Sequence, residues 1–326
     1  MKNFIKNNSG PVIVIGGANL DIKGRSLETL IPHTSNPGVI EASPGGVARN
    51  IAENLARLGV KTILLTALGD DANATFIKEK TKESGVNMDY IIEVPQQNSS
   101  TFIAILNKEK DLEVGISDMS ILKFLTPQFF ESNEKILKEA SIIVLDVSIP
   151  MKSIEYIVNF SQKYSIPLCV DPVSVAKAKR IIPFLNKITA ITPNRNEAEA
   201  LVNLKIENIK DIVVIGRELI IKGIQVAIIT LGAEGVYLVS PEERGFIPSL
   251  ATIVVDSIGA GDALIAGTVY GWLKNYPHSL ATMAGIAAAT ITLNSKEAVN
   301  PFISSEKIEE ILKTLSKNKI FHPASL

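Results

Sequence analysis

The sequence predicts an α/β fold: a doubly wound, mainly parallel sheet with helices on both faces and a small β lid. Three observations predict it. Short β-branched runs alternate with longer amphipathic stretches along the chain. Most of the short runs are apolar on both faces, as strands covered from two sides must be. Two segments, about residues 22–44 and 90–118, break the alternation and read as insertions that leave the sheet and return.

In chain order, the expected strands are Val12–Gly16, Thr62–Gly69, Ile142–Asp146, Leu168–Asp171, Ala190–Thr192 and Val226–Leu231. The expected helices are Val47–Leu58, Ala72–Ser84, Pro127–Glu139, Lys152–Tyr164, Asn194–Leu201, Ile209–Lys222, Gly261–Leu273, Ser279–Thr292 and Glu306–Leu315. The first insertion has no helical period and is punctuated by Pro32, Pro37 and Pro44. The second alternates apolar and polar residues around a turn at Asn107–Asp111 and reads as a hairpin or meander. A lid assembled from both would exclude water from a site or supply a homodimer surface. The 326 residues are read as one domain carrying this lid.

Composition narrows the function. At 46% apolar and 21% charged, the chain builds a large aliphatic core and is not disordered. Lys+Arg is 33 and Asp+Glu is 34, so no basic excess exists to neutralise a nucleic-acid backbone. The single cysteine, Cys169, excludes an internal disulfide framework and a Cys-based zinc site and reads as a buried core residue. Mean hydropathy is +0.23. Yet the most apolar stretches, Pro11–Ile22 and Ala284–Leu293, fall short of the ~18 residues of a spanning helix. Met1 to Gly10 holds no apolar signal-peptide core. A soluble cytoplasmic protein is expected. His33, His278 and His322 share no ligand spacing and read as loop or solvated residues.

Four motifs carry chemistry. The strongest is Asp256-Ser257-Ile258-Gly259-Ala260-Gly261-Asp262. Small residues at a helix start leave backbone N–H groups free to cradle an anion, helped by the helix dipole. Asp262 beside such a cradle makes sense as the group that takes a proton from an attacking hydroxyl; alone, it would read as a favourable first-turn acid. The second motif is Pro44-Gly45-Gly46 opening a helix, with Asn50 one turn in and with Asn19 and Asp21 at the carboxyl end of the first strand. Those polar groups suit a polyhydroxylated ligand, although a tight helix start and an Asx turn explain them equally well. The third places Asn194 and Glu197 three apart at a helix start, compatible both with a hydrated metal and with a capping box. The fourth, Thr230-Leu231-Gly232-Ala233-Glu234-Gly235-Val236, lies along a nucleotide or is an ordinary hairpin turn. The Walker pattern is absent, and the dinucleotide pattern fails because Leu264 stands where its third glycine belongs.

Together the motifs resemble the ribokinase-like (PfkB) family of carbohydrate and nucleoside kinases, from about Val12 to about Pro301. The resemblance implies transfer of the ATP γ-phosphoryl group to a sugar hydroxyl, with Asp262 as base and Gly259, Ala260 and Gly261 as anion hole. It implies that Asn194 and Glu197 serve the phosphates and Mg²⁺, the metal through water. Thr230, Gly232 and Gly235 would line the nucleotide, Asn294 would reach the adenine, and Asn19, Asp21, Gly45, Gly46 and Asn50 would hold the sugar. Many members bind a monovalent cation such as K⁺, which here implicates Asp256 and the Ile258 carbonyl. Within the family, Ser35-Asn36-Pro37-Gly38, Asn98-Ser99-Ser100-Thr101, Ser117-Asp118-Met119, Asp171-Pro172-Val173-Ser174 and Pro193-Asn194-Arg195 are similar to the branch acting on pseudouridine. That implies a nucleoside phosphorylated at its 5′-hydroxyl, with Ser35, Thr101, Asp118 and Lys177 supplying polar groups for the base. Thr192 and Ser117 depart from that branch, where lysine and asparagine are familiar. Ribokinase, adenosine kinase or keto-sugar kinase activity is the alternative. A non-catalytic nucleoside sensor on the same fold would be expected to show damage at Asp262 or the glycines, and none is visible.

Overall fold

Apolar runs that are buried from both sides form the centre of the molecule. The computed structural model describes residues 4, 5, 9–317, 322 and 323. Its strands are β1 (Val12–Ile15), β2 (Asn19–Ser26), β3 (Gly38–Gly45), β4 (Thr62–Leu65), β5 (Ala67–Leu68), β6 (Ile92–Glu93), β7 (Thr101–Leu106) and β8 (Leu112–Asp118). They continue with β9 (Ile142–Asp146), β10 (Leu168–Asp171), β11 (Ala190–Ile191), β12 (Val226–Thr230), β13 (Val236–Val239), β14 (Arg244–Ile247) and β15 (His322–Pro323). The α-helices are α1 (Val47–Arg57), α2 (Ala72–Glu83), α3 (Pro127–Ser132), α4 (Glu134–Lys138), α5 (Met151–Tyr164) and α6 (Val175–Ala178). After these come α7 (Arg195–Val202), α8 (Ile209–Ile221), α9 (Ala260–Leu273), α10 (His278–Leu293) and α11 (Ser305–Lys317).

The main sheet runs β15-β14-β13-β12-β11-β10-β9-β1-β4. It is parallel from β4 to β12 and antiparallel beyond. Alternation along each strand feeds two cores. Val12, Val14, Leu64, Ile142 and Val144 pack against α1, α9, α10 and α11. Ile13, Ile15, Leu65, Ile143 and Leu145 pack against the other face, with residues of α3, α5, α7 and α8. Cys169 is buried in β10. Among the described residues, no helix is long and apolar enough to cross a membrane.

Departures from the sequence reading have local causes. Thr62–Gly69 is not one strand: it breaks at Thr66, and β5 leaves the main sheet to pair with β6. Pro127–Glu139 is two helices, because Asn133 turns its amide back onto the Phe129 carbonyl at 2.9 Å. His278 is not in a loop: half-buried, it opens α10 and accepts a hydrogen bond from Trp272 Nε1 at 3.1 Å. The side chain of His322 and the Met1–Gly10 positions 1–3 and 6–8 lie outside the described residues.

The two insertions form a separate four-stranded sheet, ordered β3-β2-β7-β8. Its turn at Asn107–Asp111 is closed by Asn107 N–H to the Asp111 carbonyl at 2.9 Å. Cross-strand partners share a face. One face carries Ile40, Ile105, Val114 and Ile116, all exposed. The other carries Ser43, Asp21, Phe102 and Ser117 in one row, with Glu41, Lys23, Ala104 and Gly115 in the next.

Helices α9 and α10 are apolar around most of their circumference, as buried helices are. Glycines set their approach: a Cβ on Gly267 would lie 2.5 Å from the Ala284 carbonyl oxygen and 2.8 Å from Ala288 Cβ. Gly267→Val is expected to lower the unfolding free energy by about 3 kcal/mol or more. Urea denaturation measures it, and an unchanged midpoint would contradict this helix contact.

Candidate active site

The parallel strands end at one edge of the sheet, next to the point where the strand order reverses at β1, which is where open α/β sheets bind ligands. Asp146 ends β9, Asp171 ends β10, Thr192 follows β11 and Thr230 ends β12. A cavity there of about 230 Å³ is lined by Asp171, Thr192, Asn194, Glu197, Thr230, Gly261 and Asp262.

Asp262 sits in the first turn of α9, 9% exposed. Asn50 Nδ2 donates to its Oδ2 at 2.8 Å. Burial pushes the carboxyl up to about 7; the Asp146 and Asp21 charges add to this, while Asn50 and Arg49 oppose it. Asn50 is fixed in turn by Arg49, whose guanidinium donates to Asn50 Oδ1 and to the Pro44 carbonyl, each at 3.1 Å, and pairs with Glu53. Arg57 holds the same Glu53 at 2.7 Å.

The glycines do different jobs. Gly259 has φ +80° and caps α9, and a Cβ there would collide with the Ala298 carbonyl. Its need for glycine is conformational and does not depend on a bound phosphate. Gly261 has open space where a Cβ would stand, and no side chain caps α9, so this is the side from which an anion can approach. Ala260 follows as the first helical residue. Gly46 lets α1 settle on the loop after β1: its Cβ would lie 2.5 Å from the Gly17 carbonyl oxygen. Gly45 makes room for Asp21, whose carboxylate a Cβ would strike. Asn19 Nδ2 donates to Asp21 Oδ1 at 2.5 Å, and burial raises the Asp21 carboxyl.

Asn194 and Glu197 form the capping box: both Glu197 oxygens accept from Asn194, at 2.8 and 2.9 Å, and the Glu197 N–H donates back at 3.0 Å. Both also line the cavity, so the two sequence alternatives coexist. Burial raises the Glu197 carboxyl. Hard carboxylate oxygens of Asp171 and Glu197 beside an open cavity fit a hydrated divalent cation. Thr230 N–H bonds the Pro193 carbonyl at 2.9 Å. Gly232 is open, whereas a Cβ on Gly235 would collide with the Ile247 carbonyl, so only Gly232 of that pair leaves room for a ligand. Asn294 Nδ2 is committed to Thr252 Oγ1 at 2.8 Å and the Thr290 carbonyl at 2.9 Å, holding the 250–258 loop against α10.

Several expected residues lie apart from this group. Thr101 and Asp118 are in register with Leu20, so they occupy the opposite face of the second sheet from Asp21. Asp118 Oδ1 accepts from Ser120 N–H. Ser35 lies in the loop beyond Ser26 and Gly38, at the far end of β2 and β3 from Asp21 and Gly45. Lys177 Nζ is held by Ser148 Oγ at 2.8 Å. Asp256 does not present a free carboxylate with Ile258: its Oδ1 accepts Ile258 N–H at 3.0 Å and its Oδ2 faces Lys23 Nζ at 3.5 Å.

Sequence reasoning missed Asp146, and weighed Asp171 only as part of a motif. Asp146 Oδ2 accepts Gly17 N–H at 2.9 Å and Oδ1 accepts Ser148 N–H at 2.8 Å, pinning the loop that leads to Asn19 and Asp21. Asp171 accepts Val173 N–H at 2.7 Å, and Val173 adopts φ +64°, a strained conformation for a β-branched residue. Burial, then the Asp262 charge, raises the Asp171 carboxyl well above the ordinary range. The available signal was two apolar strands that each end in aspartate.

Known proteins share this architecture. A pseudouridine kinase of Escherichia coli strain K12 is 32% identical over 303 residues, 93% of this chain and 96% of that protein. A guanosine-inosine kinase of Exiguobacterium acetylicum is 26% identical, covering 88% of this chain and 95% of its own. The structure of Arabidopsis thaliana ribokinase complexed with ribose and ATP superposes with a TM-score of 0.83 at 22% identity, over 93% of this chain and 99% of that one. The family pattern described as pfkB family carbohydrate kinase matches residues 11–305, and the chain belongs to that family.

Proposed function

We propose that the protein transfers the γ-phosphoryl group of ATP to the 5′-hydroxyl of pseudouridine in the cytoplasm. The observation that carries the phosphoryl transfer is the buried Asp262 carboxylate, held by Asn50 at the uncapped start of α9 and flanked by Asp21. The likeness to pseudouridine kinases of Escherichia coli and Arabidopsis thaliana supports the acceptor.

In this reading Asp21, Asn19 and Asn50 hold the ribose hydroxyls, with Gly45 and Gly46 letting the sugar approach the backbone. Asp262 orients the 5′-hydroxyl and accepts its proton as the oxygen attacks phosphorus. The N–H groups of Gly261 and Asp262 face the charge that builds on the transferred phosphoryl oxygens, while the Ala260 N–H, bonded to the Ser257 carbonyl at 3.4 Å, closes the turn before them. Thr230, Gly232 and Asn194 line the nucleotide. Asp171 and Glu197 would hold Mg²⁺ through water, and the metal, when bound, neutralises phosphate charge. The second sheet acts as a lid over the sugar, and its outward apolar face, with Ile40 76% and Ile116 62% exposed, serves a homodimer.

A base works only when ionised, so turnover is expected to fall as pH drops through about 7, the range to which Asp262 is raised. Asn50 stabilises the charged carboxylate. Asn50→Ala is therefore expected to move that acid limb to higher pH, and a pH–rate profile that does not move would contradict the Asn50–Asp262 coupling. Asp262→Asn is expected to reduce turnover by about 10²–10⁴-fold. Its stability effect has the opposite sign. The folded carboxyl binds its proton more tightly than the unfolded one, so this group contributes stability below its unfolded pKa of 3.8 and loses it as pH rises to about 7. Thermal unfolding should find Asp262→Asn more stable than wild type at pH 8 and nearly equal at pH 4. ATP consumption across pseudouridine, uridine, adenosine, guanosine, ribose and deoxyribose tests the substrate. Pseudouridine is expected to lead by kcat/KM; a preference for ribose or for no member of the panel would contradict the proposal.

A further inference from the structure

We infer that Phe102 and Ser117 form the subsite for the nucleobase, with the base lying on the Phe102 ring and its polar edge meeting the Ser117 hydroxyl. This rests on the nucleoside-kinase reading above and moves base recognition from Thr101 and Asp118 to their immediate neighbours.

The strand register carries it. Ser43, Asp21, Phe102 and Ser117 are direct cross-strand partners, so their side chains leave the same face of the second sheet. That face looks toward the phosphate-binding turn, because Lys23, two residues along from Asp21, reaches Asp256 at 3.5 Å. Neighbouring strands lie about 4.8 Å apart. Phe102 therefore stands one strand from the sugar ligand Asp21, and Ser117 stands two. A nucleoside has this layout: a sugar, then an aromatic ring one ring-width away, then the polar edge of that ring.

Phe102 stands out from its neighbours. It is the one large apolar side chain in a row that otherwise reads Ser, Asp, Ser. Its ring leans over Gly115, where a Cβ would lie 3.3 Å from Phe102 Cε2. The missing side chain lets the ring lie along the sheet and present a face, and Phe102 remains partly exposed. An aromatic face is a platform for any base. Ser117 is exposed beside it, with a hydroxyl that can donate or accept.

Calorimetric titration of the full chain with pseudouridine and with ribose, each beside a non-hydrolysable ATP analogue and Mg²⁺, tests the assignment. Phe102→Ala and Phe102→Leu are expected to weaken pseudouridine binding by about tenfold to a hundredfold and to leave ribose binding unchanged. Phe102→Tyr keeps the ring and should keep both affinities. Ser117→Ala should weaken pseudouridine binding about fivefold without touching ribose. Equal losses for both ligands would mean that Phe102 only supports the sheet, and would overturn the subsite. So would a Phe102→Leu protein that binds pseudouridine like wild type. A wild-type protein that binds ribose but not pseudouridine would overturn the nucleoside reading, and the subsite with it.

Discussion

A carboxylate buried where it is uncomfortable is the interaction on which the rest depends. Asp262 stands at the start of α9, nearly out of water, with Asp146 and Asp21 close enough to oppose its charge. A donated hydrogen bond from Asn50 and the charge of Arg49 ease it. Much of the surrounding structure exists to hold that arrangement. Arg49 reaches from α1 to Asn50, to the Pro44 carbonyl and to Glu53, and Arg57 secures Glu53 one turn later. Thus the helix that carries Asn50, proposed to hold the sugar, also positions the group proposed to accept the proton.

The site collects acids: Asp146 and Asp171 end parallel strands, Glu197 and Asp262 lie in the first turns of α7 and α9, and Asp21 comes from the second sheet. Burying these acids destabilises the fold: burial raises the carboxyls of Asp21, Asp171, Glu197 and Asp262, and for Asp171 and Asp262 neighbouring carboxylates add to it. Functional sites commonly hold local strain that the surrounding core must offset. Here the offset is two fully buried aliphatic cores on either side of one sheet.

Much of this was legible in the residues. The two-sided apolar strands Ile142–Asp146 and Leu168–Asp171 match their predicted ends, because fully buried strands leave no ambiguity of period. Asp262, Asn50, Asp21 and Asn194 were picked out by small-residue turns next to polar groups, and the structure brings them to one edge. What escaped was set by pairing between distant segments. Thr101 and Phe102 are adjacent in sequence but face opposite ways, and only the register with Leu20 and Asp21 decides which one faces inward. Ser35 lay in a promising motif, yet the length of β2 carries it to the far end of the sheet. Lys23 showed no signal of its own, because its partner Asp256 is more than two hundred residues away. The glycines were recognised for the right loops but partly for the wrong reason: Gly259 and Gly235 answer to backbone neighbours, whereas Gly261 and Gly232 face open space.

The most direct test is a crystal structure of the protein with pseudouridine, a non-hydrolysable ATP analogue and Mg²⁺. The predicted result places the nucleoside 5′-oxygen within about 3.2 Å of an Asp262 carboxylate oxygen, in line with the terminal phosphate over Gly261. A complex in which the 5′-oxygen lies beyond hydrogen-bond reach of Asp262, or in which another side chain contacts it in its place, would contradict the central role given to that buried acid.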